Sequence, residues 1–190
     1  MLIEVKEILG KRILILGEMN SGKTRLTAKI LDDVLGIVDP KNITVIDMSP
    51  NTVPGVGGRI SLYSGNVMKV RYLTPEVIRA PRIEGRSKDE VLNFAEFNRM
   101  SIEPLIQEFL SKPTRILFIN DLSIYLHSGN VSKIVKCLEL SHTVVANSYY
   151  GESLIDDKGS GISKRERERL EALMNKFSHV LRINNSIQKL

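Results

Sequence analysis

The stretch Gly17-Glu18-Met19-Asn20-Ser21-Gly22-Lys23-Thr24 is the most informative part of this chain. It matches the pattern G-x-x-x-x-G-K-[ST] in full. The apolar run Arg12 to Leu16 precedes it, and Lys23 to Leu35, with apolar side chains at helical spacing, follows it. A strand, a glycine-bearing turn and an amphipathic helix in this order predict a phosphate-binding loop, here called the P-loop, over residues 17 to 24.

The chemistry expected of this loop follows from its residue types. Its glycines let the backbone approach an anion closely, and the amide groups and the helix N-terminus point toward it. Lys23 is predicted to reach the outer phosphates, and Thr24 is predicted to be a ligand of Mg²⁺. The predicted nucleotide-binding residues of the loop are Gly17, Glu18, Met19, Asn20, Ser21, Gly22, Lys23 and Thr24.

The rest of the chain predicts an α/β fold in a single domain over residues 1–190. Strand-length apolar runs alternate with helical patterns, which is typical of a mostly parallel sheet with helices on both faces, a three-layer arrangement. Apart from Lys23 to Leu35, helices are predicted after the capping boxes at Ser87 and Ser163, from Pro104 and around Val131 to Leu138. The strands are predicted at 12–16, 43–47, 68–73, 115–119, 143–146 and 180–183.

Two glycine-rich segments do not fit this alternation. Residues 49–65 and 149–161 each follow a predicted strand, so they are predicted to be long loops at the carboxyl end of the sheet, where such folds bind ligands. They are candidates for switch or lid segments, with a plain surface connection as the alternative.

Composition limits the classes of function. With 42% hydrophobic and 26% charged residues the chain is typical of a globular protein, and its N-terminus carries no apolar run of signal or membrane-spanning length, so a cytoplasmic protein is expected. The net charge of +5 permits nucleic-acid binding without favouring it, because the basic residues are scattered. The densest cluster, Lys164 to Arg169, alternates with glutamates as on a solvated helix face. Cys137 is expected in the core.

A P-loop nucleotide site also requires an acidic residue at the end of a strand, which helps to hold the Mg²⁺ ion. Asp121, which follows Ile116 to Asn120, is the preferred candidate for this Walker B residue and for a second Mg²⁺ ligand. Asp47 closes Ile43 to Asp47 in the same way and is the competitor. We expect Asp47 to lie nearer the attacking water or the acceptor, so Lys23, Asp47 and Asp121 are the predicted catalytic residues.

The segment Val45-Ile46-Asp47-Met48-Ser49-Pro50-Asn51 resembles the second-strand motif of the P-loop NTPases that include partitioning ATPases and polynucleotide 5′-kinases. This resemblance implies the P-loop NTPase fold. Two positions depart from it. Ser49 replaces the second carboxylate of the family motif, so the activating role of that carboxylate does not carry over. Glu18 replaces the signature lysine of partitioning ATPases, so their lysine-bridged dimer is not implied either.

The residues after the late strand bear on the base. Guanine-specific relatives carry N-K-x-D there, whereas this chain reads Ala146-Asn147-Ser148-Tyr149-Tyr150, which lacks the aspartate. ATP is therefore expected over GTP. In similar ATPases an asparagine at this place contacts the base, and Asn147 is predicted to do so, with a turn role as the alternative.

Side chains outside the motifs supply weaker candidates. His127 and Tyr125 follow Asp121 closely and are placed either near the γ-phosphate or within loop packing. Arg79, Arg82 and Arg86 are candidates for a phosphate clamp or an arginine finger, with a solvated loop as the alternative.

These observations predict a Mg²⁺-dependent ATPase that acts as a switch on a partner, which the sequence does not identify. The alternatives are a kinase that transfers the γ-phosphoryl group to a small molecule or a nucleic-acid end, and a binding module with little turnover. The sequence gives no oligomeric state.

Overall fold

The computed structural model describes residues 5–50 and 58–183. Its six strands form one sheet in the order β3-β2-β4-β5-β1-β6, and every pairing is parallel. The strands are β1 (Arg12–Gly17), β2 (Ile43–Asp47), β3 (Arg71–Leu73), β4 (Ile116–Asn120), β5 (Thr143–Tyr149) and β6 (His179–Ile183).

Helices cover both faces of this sheet, so the predicted three-layer α/β fold is confirmed. The helices are α1 (Val5–Ile8), α2 (Lys23–Leu35), α3 (Pro81–Glu84), α4 (Lys88–Ser111), α5 (Leu122–Leu126), α6 (Val131–Leu140) and α7 (Ile162–Met174). Among the described residues, no helix has both the length and the apolarity needed to cross a bilayer.

The alternation of strand side chains explains the two cores. Leu14 and Leu16 of β1 pack in the cluster that contains residues of α4 to α7, while Ile13 and Ile15 pack in the cluster that contains residues of α1 and α2. Successive side chains of a strand point to opposite faces, so a strand covered on both sides is apolar throughout. Cys137 of α6 is fully buried in the first cluster, as predicted.

The predicted elements differ from the structure by more than one residue at three helix or strand starts. The strand predicted from Met68 begins only at Arg71, because residues 65–69 form a 3₁₀ helix. The helix predicted to start at Pro104 is instead the second half of α4, which runs through that proline. Proline lacks the N–H that would bond the carbonyl group of Met100, four residues earlier. Met100 is 63% exposed, so water can bond this carbonyl group instead.

The capping box predicted at Ser163 is also wrong, because α7 begins at Ile162, after the N-cap Gly161, which is two residues before Ser163. The Ser163 amide donates to the Asp157 carboxylate at 3.0 Å, so an upstream aspartate takes the place of the expected cap.

At Ser87 the helix start is confirmed, since its hydroxyl accepts from the Glu90 amide at 3.2 Å. The Glu90 carboxylate accepts from the Arg86 amide at 2.8 Å and not from that of Ser87, so only this half of the predicted box forms.

The two glycine-rich segments follow β2 and β5, at the carboxyl end of the sheet. In the first, residues 60–62 form a 3₁₀ helix, and 51–57 lie outside the described residues. In the second, β5 extends to Tyr149 and the chain is irregular from 150 to 161. Their predicted role as switch or lid segments stays a prediction.

Candidate functional site

The P-loop lies between β1 and α2, where the sequence predicts it. Asn20 and Gly22 have left-handed backbone conformations, with φ of 59° and 89°. The loop also turns tightly over β6. A Cβ on Gly17 would lie 2.6 Å from the Ser21 hydroxyl oxygen and 2.7 Å from the Ile183 carbonyl oxygen, so this position requires glycine.

The loop presents the N-terminus of α2 to the space in front of it. Gly22 is the N-cap residue and has no side chain that could cap the helix. The amides of the first turn therefore have no side-chain acceptor at the N-cap, and an anion is a suitable partner for them.

Lys23 is the cation of this site. Its Nζ donates to the Glu18 carbonyl oxygen at 2.6 Å, so the side chain lies along the loop. Burial lowers the pKa of Lys23, and the carboxylates of Asp121, Glu18 and Glu166 oppose this shift. A half-buried ammonium group beside these carboxylates is suited to an incoming polyanion.

A cavity opens in front of the P-loop and is lined by its residues. Asp121, Ser123 and Asn147, at or just after the ends of β4 and β5, also line it. The other lining residues are Arg25, Ser49, Pro50, Tyr63, Ala80, Pro81, Arg82, Ile83, Ile124, His127, Tyr149 and Leu154. The structure thus brings together Lys23, Thr24, Asp121 and Asn147 of the predicted site.

Asp121 follows β4 in a left-handed conformation with φ of 56°. Its carboxylate accepts from the Ser123 hydroxyl at 2.5 Å. Burial raises the pKa of Asp121, while Ser123 and the charge of Lys23 act in the opposite direction. The carboxyl group is therefore in a place where a nearby cation would favour its ionised form.

Asn147 has all its amide partners inside the protein. Its Oδ1 accepts from the Asp121 amide at 2.9 Å, and its Nδ2 donates to Thr27 Oγ1 at 2.8 Å and to Asn120 Oδ1 at 2.7 Å. The side chain thus joins β4, β5 and α2 and positions Asp121. The predicted contact with a nucleotide base stays a prediction.

Asp47 does not line the cavity. Two strands, β4 and β5, lie between β2 and the strand β1 that leads into the P-loop, and a spacing of about 4.8 Å per strand puts β2 about 14 Å from β1. Burial raises the pKa of its carboxyl group, although four donors favour the ionised form. The donors are the Ser49 and Ile60 amides, Asn120 Nδ2 and the Tyr72 hydroxyl, at 3.2, 2.7, 2.8 and 2.9 Å.

This arrangement ties the segment that follows β2 to the sheet. Asn120, the last residue of β4, donates to both Asp47 and the Ser49 hydroxyl at 2.8 Å. Its own Oδ1 accepts from Asn147, so a continuous polar network runs from Asp47 to α2. Sequence reasoning missed Asn120. The signal that was available is a polar residue directly before Asp121 in an otherwise apolar strand.

The residues of the cavity fit Mg²⁺ in a complex with phosphates. Thr24 and Asp121 offer a hydroxyl and a carboxylate oxygen, the hard ligands that Mg²⁺ prefers. Among the described residues, no cluster of three or more His, Cys, Asp or Glu side chains could hold a metal ion by itself.

Glu18 links the P-loop to the segment after β5. Its carboxylate accepts from the Glu152 amide at 2.6 Å and from the Ser153 hydroxyl at 2.5 Å. Partial burial raises the pKa of Glu18, but these hydrogen bonds outweigh it and the net shift is downward. This contact fixes the start of the 149–161 loop against the P-loop.

Gly151 makes room for this contact, which gives a testable prediction. A Cβ at Gly151 would lie 2.1 Å from Glu18 Cδ, so Gly151→Ala must displace the Glu18 side chain and break its hydrogen bonds. We expect the free energy of unfolding in urea to fall by about 1 kcal/mol. In a Glu18→Ala background the same substitution is expected to have almost no effect, because nothing remains to be displaced. Equal losses in both backgrounds would contradict the coupling.

Three buried side chains that the sequence did not bring together meet beside the cavity. Glu166 Oε2 lies 2.7 Å from Arg82 Nη2 and 2.9 Å from His127 Nε2, and the three side chains are 4, 6 and 1% exposed. The sequence interpretation placed Glu166 in a capping box. The sequence did not predict the burial of Glu166, because the apolar residues of α7 have the same spacing whether Glu166 caps the helix or is buried against its neighbours.

The cluster Lys164 to Arg169 is only in part the solvated face that the sequence predicts. Lys164 and Glu168 are 83 and 64% exposed, whereas the arginines are partly buried and donate to backbone carbonyl groups. Arg165 donates to His127, Arg167 to Gly151, and Arg169 to Leu126 and Gly129, at 3.0, 2.7, 2.8 and 3.0 Å.

The chain matches no protein-family profile, and no curated protein matches its sequence. Solved structures do resemble it. The flagellar accessory protein FlaH from Methanocaldococcus jannaschii matches at a TM-score of 0.48 and 10% identity, over 94% of this chain and 74% of that one. The Pif1 helicase from Candida albicans matches at 0.41 and 14%, over 96% and 40%. An ATPase from the type III secretion system of pathogenic bacteria matches at 0.40 and 15%, over 84% and 49%.

These likenesses establish neither a family nor an activity. All three TM-scores are below 0.5, and the chain spans less than half the length of the helicase and secretion-ATPase chains. The residues of the site are therefore the basis for any functional proposal.

Proposed function

We propose that this protein binds ATP with Mg²⁺ and hydrolyses it, and that the hydrolysis acts as a switch on a partner protein. The observation that carries the proposal is the cavity in which the first turn of α2, Lys23 and Asp121 face one space. Amides and an ammonium group suit the phosphates, and the carboxylate suits the metal. ATP is preferred to GTP because the N-K-x-D sequence is absent.

Each residue has a proposed role. The P-loop amides hold the β- and γ-phosphates, and Lys23 neutralises charge that develops on the transferred group. Thr24 and Asp121 hold the metal, and bound Mg²⁺ would supply further charge neutralisation. Asn147 keeps Asp121 in position through the hydrogen bond to its amide. Asp47 lies outside the cavity, so its proposed part is to hold the segment after β2.

The proposed switch uses the contact between Glu18 and the 149–161 loop. Glu18 belongs to the P-loop, and its carboxylate holds Glu152 and Ser153, while Arg167 of α7 holds Gly151. A phosphate group that repositions the P-loop would therefore act directly on this loop and on α7. Such a coupling is of the kind by which nucleotides order or release surface segments.

Calorimetry and phosphate release test the proposal together. We expect heat on titration with Mg²⁺-ATP, less heat with Mg²⁺-GTP, and release of inorganic phosphate from ATP. Absence of heat with both nucleotides would overturn the proposal. Heat without phosphate release would instead indicate a binding module with little turnover. Ser49, which stands where the family motif has a carboxylate, favours this alternative.

A kinase is the second candidate, and one observation favours it. The cavity continues past the P-loop to Arg82 and an apolar surface formed by Pro81, Ile83 and Leu154, which leaves room for an acceptor. Phosphate release that is slow alone, and a phosphorylated product that forms with sugars, nucleosides or 5′-hydroxyl oligonucleotides, would favour the kinase over the ATPase.

A further inference from the structure

The main chain of Asp121, the proposed metal ligand, has an uncommon conformation. Its φ of 56° lies in the left-handed region, which residues with a Cβ seldom adopt, although aspartate tolerates it better than most. The Asp121 amide donates to Asn147 Oδ1 at 2.9 Å, an acceptor that the neighbouring strand β5 supplies. Such a conformation persists only where surrounding contacts fix it, so the contacts behind Asn147 bear on the placement of the metal ligand.

Asn147 is itself fixed by Asn120 and Thr27. Its Nδ2 donates to Asn120 Oδ1 at 2.7 Å and to Thr27 Oγ1 at 2.8 Å, so both amide hydrogens have acceptors. Reversal of this amide would set its NH₂ group against the Asp121 N–H, and both groups can only donate. The backbone of Asp121 therefore decides the orientation of Asn147, and this orientation requires an acceptor from Asn120.

The other end of the Asn120 side chain faces acceptors. Its Nδ2 donates to Asp47 and Ser49, both at 2.8 Å, and to the Gly58 carbonyl oxygen at 3.2 Å. A carbonyl oxygen can only accept, so the NH₂ group of Asn120 faces Gly58 and its oxygen faces Asn147. The hydrogen bonds therefore run in one direction along these two amides, here called the asparagine relay, from the metal ligand to the segment after β2.

Water does not replace a partner inside the asparagine relay. Asn120 and Asn147 are 0 and 1% exposed, and the oxygen and nitrogen atoms of both amides are bonded within the protein. A buried amide that loses a partner is left unpaired, which is unfavourable. A change at Asn120 therefore acts on Asn147 directly, because solvent does not compensate for it.

We propose that Asn120 is a positioning residue of the metal site, which acts through Asn147 to hold the Asp121 main chain. This inference rests on the proposed binding of Mg²⁺-ATP. Asn120 does not line the cavity, whereas Asp121 and Asn147 do, so its effect on the site passes through these two neighbours. Partners that orient a metal ligand in this way contribute about 10- to 100-fold to metal affinity or activity.

The decisive variant is Asn120→Leu, which is close to asparagine in size and offers Asn147 no acceptor. Calorimetry measures the factor by which Mg²⁺ lowers the dissociation constant of ATP, here called the Mg²⁺ factor. We expect the Mg²⁺ factor of the variant to be about 10- to 100-fold smaller than that of the wild type. Without nucleotide, the Asp121 amide hydrogen should exchange with D₂O at least about 10-fold faster, as for a lost buried hydrogen bond.

Asn120→Asp is the conservative variant, because it keeps an oxygen toward Asn147. Its Mg²⁺ factor and its exchange at Asp121 should therefore stay close to the wild-type values. The carboxyl group that it introduces beside Asp47 can share one proton with that residue, which limits their repulsion. Asn120→Val, which also lacks the acceptor, takes the place of Asn120→Leu where the leucine variant does not fold.

The matched control is Tyr72→Phe, which removes a different hydrogen bond of the same polar network. The Tyr72 hydroxyl donates to Asp47 at 2.9 Å, and its loss leaves the asparagine relay intact. We expect a lower urea midpoint for this variant, with an unchanged Mg²⁺ factor and unchanged exchange at Asp121. Unfolding curves in urea establish that each variant compared is folded at the assay temperature.

The outcomes separate the positioning role from the proposed function. A wild-type Mg²⁺ factor in folded Asn120→Leu or Asn120→Val overturns the role of Asn120 and leaves Mg²⁺-ATP binding intact. Equal losses in Tyr72→Phe, or in Asn120→Asp, also overturn it, because the acceptor toward Asn147 is then not the cause. If the wild type binds no ATP, the proposed function fails, and exchange at Asp121 decides alone: faster exchange only in the variants without the acceptor supports the asparagine relay, and unchanged exchange overturns it.

Discussion

Replacing Lys23 by methionine is expected to lower kcat for ATP hydrolysis by about 100- to 1000-fold, the range observed when one preorganised charge-stabilising group is removed. The chain length of the side chain is kept and only the ammonium group is lost. That group donates to the Glu18 carbonyl oxygen at 2.6 Å, and a bound triphosphate would offer it a stronger, charged acceptor. Steady-state phosphate release measures the effect.

The free energy of unfolding, in contrast to kcat, is not expected to fall. Burial lowers the pKa of Lys23, which means that its charge is disfavoured in the folded protein, so Lys23→Met is expected to have an equal or higher free energy of unfolding without nucleotide. Lys29→Met is the control, because this lysine lies on the same helix, is 55% exposed and pairs with Asp33. It should leave turnover unchanged. Wild-type turnover by Lys23→Met would show that the P-loop is not the phosphate site.

The parts of the fold that could be predicted are those with local causes. An apolar run followed by G-x-x-x-x-G-K-T fixes a strand, a turn and a helix within 24 residues, and the structure has all three. The strand positions followed from apolar runs, because a parallel sheet buried on both faces needs them. Even the shortened β3 was found, although a 3₁₀ helix occupies its predicted start.

The parts that could not be predicted depend on how distant segments meet. Asp47 and Asp121 look alike in sequence, since each ends an apolar strand. They differ through the strand order, which no single strand encodes. This order places β2 farther from the P-loop than β4, where the Asp47 carboxylate accepts from Tyr72 and Ile60. The surroundings of Glu166 could not be predicted either, because the pattern of a helix does not reveal that Arg82, 84 positions earlier, is its neighbour in space.

This difference between the two aspartates leads to opposite expectations for their asparagine variants. Asp121→Asn removes the charge of the proposed metal ligand and keeps its shape. Mg²⁺ is expected to strengthen ATP binding by the wild type and not by this variant, and hydrolysis should fall at least about 100-fold, since metal charge stabilisation is worth several kcal/mol. Burial raises the pKa of Asp121, so its charge is unfavourable in the ligand-free fold and the variant should be no less stable.

Asp47→Asn should show the reverse. The two carboxylate oxygens of Asp47 accept from four donors. In asparagine one of these oxygens is replaced by an NH₂ group, which would face the backbone N–H of either Ser49 or Ile60, a donor against a donor. At least one buried donor then loses its acceptor, and the free energy of unfolding is expected to fall by about 1–3 kcal/mol. Among folded molecules, the strengthening of ATP binding by Mg²⁺ should persist. Calorimetry with and without Mg²⁺, paired with urea unfolding, measures both variants. Loss of the Mg²⁺ effect in Asp47→Asn with its retention in Asp121→Asn would reverse the assignment, because only the metal ligand responds to the ion.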